Sequence, residues 1–379
     1  MTDVQSLQLK ETRKVSYSQY ALIAVVLFLA TKACTLPSVL AEAAGARAVW
    51  VVLILFAAEC LLLYFATKTA RAGGLFALDL PRGVKIAAAV PLLAFFALKL
   101  AAFTREISTY FALSLFENVP VLPISVILLV FTCLFAYGGF ASLGRVLEIF
   151  VWLFVFVFLF VIVFTRTEGD LFNALAMVNG DTEGMGEAIY RALGWYGDCA
   201  VVALLDLRGS AKTAKKARVK GSVLDGKGKI LFAALGLSCL LLVVFYAVFT
   251  SVYGEAARLT DYAFIKLSAF RANTDELGSA DWPMITLWSV LSFSYLGLIL
   301  LAGKECAVGI LRKTGRKVGK AAFAVLCVFA LVLSVLVSDE SSDYETFMKN
   351  VMSVATLVAG AATVAIGGAT LYRSKVKYE

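Results

Sequence analysis

Four ionisable side chains, Lys32, Glu59, Lys99 and Asp198, sit inside stretches otherwise built mainly of apolar and small residues. Two are cations and two are anions, so the set can be neutral as a whole. A charge in hydrocarbon costs at least ~2.5–3.5 kcal/mol even on a lenient insertion scale, so each requires a partner or water. Such a quartet can hold a charged or zwitterionic ligand, exchange protons, or serve only as a closed ion-pair network that fixes helix register. The chain has no histidine, which leaves any proton step near neutral pH to carboxylates or lysines with shifted pKa values. No metal-ligand set, nucleophile motif or cofactor fingerprint accompanies the quartet, so neither an enzyme nor a cofactor is expected.

Two of the four charges fall where an apolar segment is interrupted. One break is Thr31-Lys32-Ala33-Cys34-Thr35-Leu36-Pro37 and the other is Gly194-Trp195-Tyr196-Gly197-Asp198. Unwound backbone inside a bilayer leaves N–H and C=O groups that a cavity, a ligand or a neighbour must satisfy. Matching breaks in the two halves of a chain point to a binding site at a repeat interface. The helix starting near Pro37, and the one starting after Gly197, turn N–H groups toward the break and suit a carboxylate. Unwound carbonyls suit an ammonium. The expected ligand is therefore a small polar molecule such as an amino acid, held by Thr31, Lys32, Ala33, Cys34, Thr35, Gly194, Trp195, Tyr196, Gly197 and Asp198. Hydroxyls of the eighth segment, Ser289 and Ser292, would complete the cavity.

The elements that carry these residues are membrane helices. With 61% apolar and only 16% charged residues, the chain is far below the roughly 25% charge of soluble domains. Ten segments approach the ~20 apolar residues that a bilayer crossing needs: about 17–44, 47–67, 84–104, 121–141, 145–165, 187–207, 229–250, 282–303, 320–337 and 351–372. At 1.5 Å per residue the four charges lie roughly 16–20 Å from the membrane face, near the midplane. The expected fold is all-α and LeuT-like, with broken helices one and six. Its two inverted five-helix repeats would cover 17–165 and 187–372, because an odd number of crossings turns the second copy upside down. Residues 1–16 and 373–379 would be cytoplasmic flanks.

Most of the 35 lysines and arginines fall in alternate loops, among them Lys68, Arg71, Arg82, Lys85 and the block Arg208 to Lys229. The opposite loops are acidic, with Glu168, Asp170, Asp275, Glu276, Asp339 and Glu340. This bias places both termini in the cytoplasm. The run Lys212, Lys215, Lys216, Arg218, Lys220 lies between two spans and faces anionic lipid rather than nucleic acid. Sixteen largely polar residues precede the first span, with no cleavable signal pattern. The seven cysteines lie in or beside spans without a CxxC pair and read as packing residues. Leu259, Ala263, Leu267 and Phe270, opposite Asp261, Lys266 and Arg271, predict an interfacial helix or a lid. Arg105 to Tyr110 reads as an outer-surface helix ending at Asn118. Ala355, Ala359, Thr363 and Gly367 form a small-residue stripe for close helix packing.

The junction Tyr137-Gly138-Gly139-Phe140-Ala141-Ser142-Leu143-Gly144-Arg145-Val146-Leu147-Glu148 resembles the spore germination permease family, the B subunits of nutrient germinant receptors. Ser18-Gln19-Tyr20, Leu36-Pro37, Ala44-Gly45 with Trp50, and Lys99 through Arg105-Glu106-Ile107 to Pro120 fit as well. That family lies within the amino acid–polyamine–organocation transporter superfamily. The resemblance implies a multi-pass subunit of the spore inner membrane that senses amino acids or other small nutrients with A and C subunit partners. A stand-alone, proton-coupled amino acid symporter in a bacterial cell membrane is the alternative. Transporters of this type often bind sodium beside the first break; the Lys32 ammonium would supply that positive charge permanently.

Overall fold

The computed structural model describes residues 16–114, 119–165, 184–207, 226–260, 262–269, 281–311, 316–337 and 341–376. Among them every regular element is helical. The basic run Lys212 to Lys220, the acidic loop residues 166–183, 270–280 and 338–340, and both chain ends lie outside the described residues, as do Asp261 and Asn118.

Span one is two helices, Tyr17–Leu29 and Leu36–Ala44, separated by a turn. A capping box opens the first: Ser16 Oγ accepts from the Gln19 N–H at 3.2 Å, and Gln19 Oε1 accepts from the Ser16 N–H at 3.0 Å. Pro37 stands in the first turn of the second helix, where its missing N–H costs nothing. Spans two to five are Ala48–Arg71, Arg82–Ser114, Val121–Tyr137 and Phe140–Thr165. Span six is broken like span one, with Met185–Ala192, a 3₁₀ turn Leu193–Trp195, and then a 3₁₀ helix Asp198–Leu204. Spans seven to nine are Gly226–Tyr253, Asp281–Leu311 and Arg316–Leu336; span ten runs from Ser341–Phe347 through a π turn into Ser353–Val376. Seven of these helices are long and apolar enough to cross a bilayer, and the protein is a multi-pass membrane protein. We call the side reached by Leu36–Ala44 and Met185–Ala192 outer.

Span seven packs along the inner half of span one, and span two along the short helix Asp198–Leu204. Spans three and eight pack against each other, and span ten lies across spans two and three. The broken spans are thus enclosed, while spans four, five and nine turn large apolar side chains such as Ile127, Leu134, Trp152, Phe156, Val325 and Leu336 outward.

Two sequence expectations change. Arg105 to Tyr110 is not an outer-surface helix: span three continues through it to Ser114, with Arg105 and Glu106 only 5% and 4% exposed. The charges looked superficial because they follow an apolar run, but partners from other spans enclose them. The loop helix Ala263–Ala269 does not float on an interface. Phe264 is buried among Phe154, Phe158 and Phe245, with ring centroids 5.4 to 5.8 Å away.

The small-residue stripe of span ten does bring helices together. A Cβ on Gly367 would lie 2.6 Å from Phe65 Cβ and 2.7 Å from its carbonyl oxygen, whereas one on Gly368 meets nothing within 4 Å. Overpacking of this kind costs typically ~1–3 kcal/mol. Gly367→Val is expected to lower the detergent melting temperature by a few degrees while Gly368→Ala leaves it unchanged, as read by intrinsic fluorescence.

Candidate functional site

The two breaks face each other in the middle of the bundle. In span one the residues from Ala30 to Thr35 form turns, and the exposed end of the inner helix is satisfied from span eight. Trp288 Nε1 donates to the Ala30 carbonyl at 3.2 Å. In span six, Tyr196 and Gly197 carry no helical structure, and Gly197 takes φ +88°, a conformation that strongly favours glycine. A Cβ there would also press within 3.0 Å of Thr356 and 3.1 Å of Phe95. Gly194 is needed for a different reason: it lies against the π turn of span ten, where a Cβ would stand 3.1 Å from the Met348 carbonyl oxygen.

All four charged residues converge between the breaks. Lys32 Nζ lies 2.8 Å from Asp198 Oδ2 and 3.7 Å from Glu59 Oε2. Lys99 Nζ lies 2.7 Å from Asp198 Oδ1 and donates to the Tyr196 carbonyl at 2.6 Å. The Gly197 N–H donates to Glu59 Oε1 at 2.9 Å, and Tyr295 of span eight donates to Asp198 Oδ1 at 2.9 Å. The Lys32 ammonium also sits 4.8 Å from the centre of the Tyr196 ring. None of the four is more than 1% exposed. Two cations thus balance two anions out of contact with solvent, and the unwound main chain supplies part of their hydrogen bonding.

The other expected site residues are distributed around this core. Thr31, Ala33 and Cys34 are buried in the turn of span one. Thr35 turns outward and donates to Glu106, while Trp195 Nε1 donates to the Thr35 oxygen at 3.2 Å. Tyr196 enters through its carbonyl and its ring, and Gly197 through its N–H. From span eight, Ser292 is buried, whereas the Ser289 hydroxyl bonds the Ile285 carbonyl of its own helix at 2.6 Å. Trp288 and Tyr295 are the span-eight side chains that reach the breaks, and sequence reading passed over both. Their one signal is a ring bearing a polar atom at seven-residue spacing on a helix face, which packing residues share. Among the described residues no three His, Cys, Asp or Glu side chains gather as a metal-ligand set.

No protein-family model and no curated protein matches the sequence. Solved structures do match the fold. MhsT in complex with L-phenylalanine aligns over 93% of this chain and 89% of its own, with TM-score 0.65 at 11% identity. A Na⁺-coupled sialic acid symporter in its substrate-bound outward-open state aligns over 92% and 88%, with TM-score 0.61 at 11% identity. The manganese transporter of Eremococcus coleocola aligns over 90% and 75%, with TM-score 0.57 at 14% identity. The chain therefore has the LeuT-type transporter fold, all-α and broken in its first and sixth helices.

The charge cluster makes a stability prediction. Removing one member of a buried network leaves its partner uncompensated and costs ~3–5 kcal/mol, whereas removing opposite charges together costs less. Asp198→Asn, which strands Lys99, is expected to depress the melting temperature strongly. Adding Lys99→Met to it should recover much of that loss. Equal melting temperatures for the single and double variants would show that the two groups are not paired.

Proposed function

We propose that this protein binds a small zwitterionic nutrient, an amino acid, at the crossing of spans one and six and exposes that site alternately to the two membrane faces. The observation that carries this reading is the juxtaposition of two ammonium groups, each within 2.8 Å of one carboxylate, with unwound main chain, all shut off from solvent. An amino acid carries the same two charged groups. Its carboxylate can take the place of the Asp198 carboxylate on Lys32, and its ammonium can take that of Lys99 on the Tyr196 carbonyl. Internal ion pairs then occupy the contacts that substrate would take. The Lys32 ammonium also provides fixed positive charge at the first break, the place where transporters of this type are expected to bind sodium, so binding needs no sodium. MhsT, of the same fold, is solved with L-phenylalanine, which agrees with an amino acid as the ligand class.

The finer form of the proposal is a germinant-receptor-like subunit of the spore inner membrane, both termini cytoplasmic, assembled with A and C subunits. Two of the stretches that resemble that family pack together here. Ser18 Oγ donates to Glu148 Oε1 at 2.9 Å, and a Cβ on Gly144 would lie 2.8 Å from Gln19 Cβ. This contact pins the inner end of span one to span five, where assembly would be felt at the site. The repeats are proposed at 17–165 and 187–372. A proton-coupled symporter acting alone is the alternative.

Thermal-shift titration of the purified chain with the common amino acids, in sodium-free buffer, tests the ligand class. At least one should raise the melting temperature, and Lys32→Ala, which removes the ammonium that receives the ligand carboxylate, should weaken that binding tenfold or more. Stabilisation by sugars or nucleosides alone would remove the amino acid, and an absolute need for sodium would remove the role given to Lys32. Concentrative uptake by the chain alone in vesicles favours the symporter; binding without uptake favours the receptor subunit.

A further inference from the structure

Seven residues beyond Lys99 on span three, about 10 Å toward the outer face, Glu106 forms a second buried polar centre. Its carboxylate accepts a hydrogen bond from Thr35 of span one and one at 2.8 Å from the Tyr344 hydroxyl of span ten. The same Thr35 oxygen accepts from Trp195 of span six. One carboxyl group thereby ties the outer side of both breaks to spans three and ten.

The surroundings differ from those of the central quartet in charge. The titratable groups facing Glu106 are Cys34 of span one, Tyr295 of span eight and Tyr344 of span ten, with Tyr262 beside Tyr344. All are groups ordinarily uncharged at neutral pH. Among the described residues no lysine or arginine pairs with Glu106; its neighbour Arg105 reaches the Ser334 carbonyl of span nine at 3.4 Å. A buried carboxylate without counter-charge is expensive, whereas the neutral acid keeps its bonds because the Thr and Tyr hydroxyls accept as well as donate. Parting of the outer halves would admit water and hydrate the charged form.

We propose that Glu106 is a proton-binding site, separate from the ion-pair quartet, that takes up a proton as the outer halves of spans one and six close and releases it as they open. The proposal rests on the alternating-access reading above and names the proton as its coupling ligand. By linkage, acid conditions then favour the closed arrangement and alkaline conditions the open one.

Cys34 supplies the readout, since it is fully buried beside Thr35 when the outer side is closed. Full-length protein with Cys34 as its sole cysteine is reconstituted in vesicles and labelled with a membrane-impermeant thiol reagent across pH 5.5 to 8.5. The rate is divided by that of the same protein carrying Glu106→Gln, which cancels the ionisation of the thiol itself. We expect this ratio to rise at least tenfold over these three pH units, a single proton giving at most tenfold per unit. Glu106→Asp should keep the pH dependence with a displaced midpoint, and it decides the matter if the amide variant fails to fold: an unmoved midpoint then overturns the proposal. A flat ratio with both forms labelled overturns the proton site and leaves alternating access standing. Absence of labelling in every form at every pH overturns both.

Discussion

The Asp198 carboxylate is the point on which the crossing of the two broken spans depends. It faces Lys32 from span one, Lys99 from span three and Tyr295 from span eight, at 2.7 to 2.9 Å. Lys99 in turn occupies the Tyr196 carbonyl, and Glu59 occupies the Gly197 N–H. Main-chain groups laid bare by the break and charges stranded in the bilayer thus satisfy each other, and neither would be tolerable alone. A bundle assembled around such a contact has one favoured register, because sliding any of these helices by a turn separates a buried charge from its partner.

The same contact explains why the breaks fall where they do. Gly197 accepts a left-handed conformation that turns its N–H toward Glu59 and leaves the preceding carbonyl to Lys99. Gly194 lets the outer half of span six lie against span ten. On the other strand of the crossing, Trp288 closes the end of Tyr17–Leu29 by bonding the Ala30 carbonyl. Each unwound segment is held by a rigid helix beside it.

Much of this was legible in the sequence, and for physical reasons. Lys32, Glu59, Lys99 and Asp198 announce themselves because a charge in a twenty-residue apolar run has few explanations. Thr31 to Pro37 and Gly194 to Asp198 interrupt such runs with residues that break helices. Glu106 was misplaced because Arg105, Ser108 and Thr109 surround it at the end of an apolar stretch, a pattern shared with surface helices. Its partners Thr35 and Tyr344 lie 71 and 238 residues away in the chain, beyond any local pattern. Tyr295 and Trp288 stayed hidden because an aromatic ring in a membrane helix gives no sign of where its polar atom points. Ser289 was singled out for its hydroxyl, yet a hydroxyl on a buried helix readily satisfies itself on the preceding turn, as it does here.

The inner half of span six remains the least ordinary element. Asp198–Leu204 is wound as a 3₁₀ helix over seven residues, longer than such helices usually run. At ~2.0 Å per residue it reaches about 14 Å, against about 10 Å for the same residues as an α-helix. Just past its far end, Leu207 donates to the Ala70 carbonyl at 3.0 Å, joining it to the foot of span two. Rewinding this segment would act as a piston with a stroke of roughly 3.5 Å. It would draw the inner end of span six toward the crossing while the aspartate at its head stays anchored, so that one side of the molecule can yield without disturbing the other.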